Sequence, residues 1–105
     1  MPVSFRPAAR ADLLRQFEYF LEVANAELAH RFLDAVEAAA LRLSEHPRIG
    51  ALQGSKHPLL QGVRAWPIPE FEDILCFYVD HEADVEVLRV LHGRRDIVNL
   101  LLEER

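Results

Sequence analysis

Val3 and Phe5 fall on one side of an alternating run at 2–6, with Pro2 just ahead of them, so the chain is expected to open on a short strand. The period changes over 7–24. Leu13, Phe17, Phe20 and Ala24 step by four, three and four, and Leu14 and Leu21 widen the stripe. That spacing predicts an amphipathic helix, with Pro7 accommodated in its first turn. Asn25 then offers a side-chain oxygen to cap a second helix, whose stripe is Leu28, Phe32, Val36, Ala39 and Leu43. Ala29, Ala35, Ala38 and Ala40 permit close approach of a neighbour, and Pro47 ends the element. Two helices with almost no linker between them form an antiparallel hairpin.

The stretch 48–62 holds three of the four glycines and reads as a loop without clear period. Three apolar segments follow in quick succession: 63–69, 73–80 and 84–92. The short gaps between them specify hairpins, because parallel neighbours need long crossovers. The middle segment, "DILCFYVD", is apolar at both parities, which makes it the central strand with cover on both faces. Pro67 and Pro69 mark the preceding strand as an edge or stop it early. At 94–105, Asp96 can cap a short helix in which Ile97, Leu100 and Leu101 share helical spacing. The fold class is α+β in the order β-α-α-β-β-β. A helical hairpin packs on a small antiparallel sheet, a short C-terminal helix follows, and the second sheet face is partly open to a partner. At 105 residues, one domain over 1–105 is expected.

Composition narrows the function classes. Half the residues are hydrophobic, yet no apolar run approaches the ~20 residues of a membrane helix, and the first residues lack a secretory pattern. A cytoplasmic protein that does not engage membranes is expected. Twelve basic against seventeen acidic side chains give a net charge of −5, which disfavours a general nucleic-acid binder. Lys56 is the one lysine; the other basic residues are arginines. Cys76, the lone cysteine, sits inside an apolar run and is expected in the core.

No phosphate loop, dinucleotide fingerprint, zinc-binding pair or nucleophile elbow occurs. The five histidines lie in different elements without metal-ligand spacing, so neither metal nor cofactor is expected. The stretch "VLRVLHGRRD" (87–96) concentrates the remaining polar interest. In a regular strand Arg89 shares a face with Val87 and Leu91, whereas His92 shares the other with Leu88 and Val90. The two are then expected on opposite faces. Gly93 lets the chain turn.

The pieces "RPAARADLLRQFEYF", "RFLDAVEAAALRLSEHPRIG", "GVRAWPIPEFEDILCFY" and "VEVLRVLHGRRDIVNLL" together resemble the ParE toxins of the RelE/ParE superfamily, over nearly the whole chain and in order. The helix end "HPRIG", the strand "RAWP" and the ending "RVLHGRRD" are the more specific parts. The resemblance implies the fold derived above and the role of toxin in a type II toxin–antitoxin module, with a ParD-like antitoxin as partner. It also implies DNA gyrase as target, inhibited by binding without chemistry. The alternatives are a RelE-type ribosome-dependent mRNA interferase and a non-toxic homologue that only binds antitoxin. RelE-type enzymes surround the scissile phosphodiester with basic groups. Here "ILCFY" carries no arginine, and neither Tyr19 nor Tyr78 lies near the C-terminal strand end, although His92 sits where a catalytic histidine can sit. The gyrase-type reading is therefore placed ahead, with no catalytic residue assigned. Partner contacts are expected from Arg64 and Trp66, which share a strand face, from Arg89, His92, Arg94 and Arg95, and from Leu100 and Leu101.

Overall fold

The computed structural model of the chain describes residues 1–53, 58–93 and 97–103. The elements are β1 (Val3–Phe5), α1 (Pro7–Val23), α2 (Ala26–Glu45), β2 (Ala51–Leu52), a 3₁₀ turn (Pro58–Leu60), β3 (Val63–Ile68), β4 (Phe71–Asp80), β5 (Val85–His92) and α3 (Ile97–Glu103). The strands form a five-stranded sheet in the order β1-β5-β4-β3-β2, so β4 is central. β2 to β5 are antiparallel. β1 runs parallel to β5, with Val3 opposite Val85 and Phe5 opposite Val87. Backbone bonds from Val85 N to Pro2 O and from Arg6 N to Val87 O, both 2.9 Å, lock this edge. Among the described residues no helix is long and apolar enough to cross a membrane.

Local chemistry sets the boundaries. Asn25 caps α2 by accepting the Leu28 N–H at 2.8 Å. β4 starts at Phe71, two residues earlier than its alternation suggests. Its hairpin with β3 turns on Pro69 and Glu70, with Glu70 in the left-handed region at φ 70°. Arg31 on α2 holds that glutamate at 2.8 Å. In the β4–β5 turn Glu82 also has φ 70°, and its N–H donates to Asp80 Oδ1 at 2.8 Å, the bond that stabilises tight Asx turns.

Both sheet faces carry apolar cores. On the helix side, Phe32, Val36 and Leu43 of α2 pack with Ala9 of α1 against Cys76 and Tyr78 of β4. Phe20, Phe32 and Phe71 meet pairwise at ring-centroid distances of 5.3, 5.3 and 5.4 Å, tying both helices to the β3–β4 turn. Full burial, as for Phe32, is worth about 1.5–3 kcal/mol. The stripe on α1 differs from the expected one. Leu14 and Leu21 face solvent at 58 and 42 % exposure, whereas Ala9 and Asp12 are buried. The inward face is thus rotated toward Ala9, Asp12, Gln16 and Phe20, because α1 lies across β5 as well as against α2.

The second face is covered in part. Ile97 and Leu101 of α3, with Leu60 of the 3₁₀ turn, pack on Leu75, Phe77 and Leu91. The stretch expected to be plain loop thus supplies an edge strand, β2, and part of this roof.

Candidate partner-binding surface

The roof leaves a groove. Its floor is Val63, Val79 and Leu88 on the sheet, with Leu101 from α3, and it encloses about 650 Å³. One rim is charged. Glu86 on β5 lies 3.1 Å from His81 Nε2 and 3.5 Å from Arg6 Nε. The hydrogen bond to His81 is the largest influence and holds the Glu86 carboxyl below its ordinary value; burial opposes it, and the charge of Arg6 adds to the lowering. An apolar trough with one polar rim suits an amphipathic protein segment.

The expected contact residues are distributed around this sheet rather than gathered. Arg64 and Trp66 do share a face, opposite Tyr78 and Cys76, but it is the helix-side face, away from the groove. The Arg64 guanidinium donates to the carbonyls of Arg48 at 3.1 Å and Gly50 at 2.8 Å, pinning the chain as it leaves α2. Beside it the Gly50 N–H donates to Tyr78 Oη at 2.8 Å, within a buried contact. Burial pushes the Tyr78 hydroxyl's pKa up, with that N–H pulling the other way. Trp66 is half-buried against the helix-side core, with its indole N–H enclosed. Cys76 is fully buried and its thiol is pushed up to about 12 by desolvation, the environment of an inert core cysteine. Leu101 is buried in the second core and Leu100 packs at its margin. Arg94 and Arg95 lie outside the described residues.

Arg89 is turned inward, with 8 % exposure. Its Nε and Nη2 donate to the two oxygens of Asp12 at 2.7 and 2.8 Å, and the same carboxylate accepts the Val90 N–H at 2.9 Å. Asp12 therefore satisfies backbone at the edge of β5 just past the end of β1, where a strand partner is lacking. Arg15 also contacts Asp12. The strand register keeps Arg89 and His92 on opposite faces, as expected: Arg89 stands opposite Phe77 of the second core and His92 opposite Ile74 of the helix-side core. Phe77 pairs with Arg89 and Tyr78 with Val87, so Leu88 is an extra, bulged residue. The bulge does overturn the expected neighbours: Val87 joins Val90 in the helix-side core, away from the face of Arg89, and Leu88 joins Leu91 in the second core, away from the face of His92. Arg89 and His92 line one cleft beside α1. Asp12 itself escaped sequence reasoning. Its signal is an acidic residue at i+3 from Ala9 and i−4 from Gln16, inside the inward stripe, matched by a lone arginine inside an apolar strand.

The chain matches the family described as ParE toxin of type II toxin-antitoxin system, parDE, over residues 3–97. Among solved structures, the chromosomal ParDE TA system from P. aeruginosa superposes with a TM-score of 0.73 at 18 % identity, covering 90 % of this chain and 97 % of that one. No curated protein matches the chain at a significant level. The class defined by this α+β architecture is the RelE/ParE-like toxin fold. Within it, the chain belongs to the ParE toxin family.

Proposed function

We propose that this protein is the toxin of a type II toxin–antitoxin module that acts in the cytoplasm by binding DNA gyrase, and that a ParD-like antitoxin neutralises it by occupying its surface. The supporting observation is the second sheet face. Among the described residues its groove floor is Val63, Val79, Leu88 and Leu101, a surface for gripping an apolar segment and not one that would stabilise a cleaving phosphodiester. The charged rim of Arg6, Glu86 and His81 gives such a segment its register. Induction of the chain alone tests this reading. Growth arrest with a DNA-damage response and intact transcripts is expected, and co-expression of the antitoxin should restore growth.

The mRNA interferase reading has one observation in its favour, the shared cleft of Arg89 and His92. It requires codon-linked cuts in mRNA within minutes of induction and their loss in His92→Ala. Unimpaired growth during full induction of folded protein would instead point to a homologue that only binds antitoxin.

A further inference from the structure

The cleft between α1 and the end of β5 encloses about 310 Å³ and is mainly polar. Asp12 and Arg89 form its base, and both are buried. The Asp12 carboxylate is shared by two guanidiniums: Arg89 takes it in a two-pronged contact, and Arg15 approaches from the surface. Arg15 is 63 % exposed, so most of its five N–H groups remain outside that contact. Gln16 and His92 line the same cleft, and Leu91 and Leu100 supply an apolar wall. Cationic and neutral donors thus line one cleft over a buried ion pair, with Leu91 and Leu100 beside them.

We infer that this cleft is a carboxylate-binding site that receives a glutamate side chain presented by a partner protein, held by Arg15, Gln16 and His92. Arg15 supplies a planar fork suited to a carboxylate. The apolar wall fits the two methylenes of glutamate. The molecule's net charge of −5 disfavours a nucleic-acid backbone in the same place, because a polyanion meets the whole field and a single side chain meets only the cleft. The inference does not rest on gyrase being the target.

The test is an NMR titration of the full chain at constant 0.15 M ionic strength, a level at which exposed charges act over only ~8 Å. Three probes are used: N-acetylglutamate N-methylamide, its neutral glutamine counterpart, and inorganic phosphate. The glutamate probe should give saturable shifts at Arg15, Gln16 and His92, and the glutamine probe should not. Arg15→Gln, at an exposed position, and His92→Ala should each weaken binding tenfold or more while the rest of the spectrum is unchanged. Absence of saturation, equal response to glutamate and glutamine, or saturation by phosphate alone would each overturn the proposal.

Discussion

Asp12 and Arg89 stand 77 positions apart, yet their side chains form a two-pronged buried contact at 2.7 and 2.8 Å that joins the first helix to the last strand. The pair closes the fold because α1 and β5 come from opposite ends of the sequence. It also ends the accessible edge of β5, since the same carboxylate holds the Val90 N–H.

Removing Asp12 takes from the buried Arg89 guanidinium its two-pronged carboxylate partner. Asp12→Ala should cost about 3–5 kcal/mol of unfolding free energy. Replacing both, as Asp12→Leu with Arg89→Met, should recover a large part of that loss, leaving the unsatisfied Val90 N–H as the residual cost. Urea denaturation of Asp12→Leu, Arg89→Met and the double variant measures the coupling directly. Additive losses would mean that the two side chains do not act as a unit.

Gly50 has no room for a side chain. A Cβ there would stand 2.7 Å from Tyr78 Oη and 2.9 Å from the Ala65 carbonyl. Gly50→Ala should therefore lower stability by about 1–3 kcal/mol through overpacking. Tyr78→Phe leaves the Gly50 N–H without its acceptor and should cost about 1–3 kcal/mol. Thermal melts of the two variants, with the double variant as control, check both numbers.

Acid should reveal Glu86. Its carboxyl titrates below the ordinary value of 4.5, chiefly through His81 and then Arg6. A depressed folded-state pKa means that the contribution is complete above the unfolded-state value and is lost as pH falls through the folded one. Glu86→Gln should therefore lower the urea midpoint at pH 7 by that contribution and flatten its dependence on pH below about 4.5. The groups are well solvated, so the effect stays under ~1 kcal/mol. An unchanged acid limb would contradict the assignment.

Val79 is half-buried on the floor of the groove. If the antitoxin seats an apolar segment there, Val79→Glu should weaken capture at least tenfold, about 1.4 kcal/mol, while the circular-dichroism spectrum is preserved. Surface plasmon resonance with immobilised antitoxin reads the change, and unaltered affinity would place the antitoxin elsewhere.

Much of this architecture is legible in the sequence because it follows from period. The stripe from Leu28 to Leu43 specifies α2, and the two-sided apolar run around Cys76 marks β4 as the central strand. The irregular parts obey other constraints. Leu14 and Leu21 extend an apolar stripe yet face solvent, since α1 must turn Asp12 toward β5. The bulge at Leu88 does leave a trace, for the apolar positions 85, 87, 88, 90 and 91 change phase in mid-strand. Arg64 read as a recognition residue because an arginine on a strand looks available; the carbonyls of Arg48 and Gly50 that it serves come together only after the chain leaves α2. The groove was less legible than the strands, because its shape depends on where α3 and the 3₁₀ turn end on the sheet.

The central claim is that this ParE-family protein inhibits its target by occupation and not by catalysis, and titration of purified gyrase with the purified chain in a supercoiling assay tests it most directly. The account predicts loss of supercoiling that saturates as the chain approaches stoichiometry with the enzyme and is reversed by the antitoxin. Full supercoiling at a large excess of folded, growth-arresting protein would contradict it.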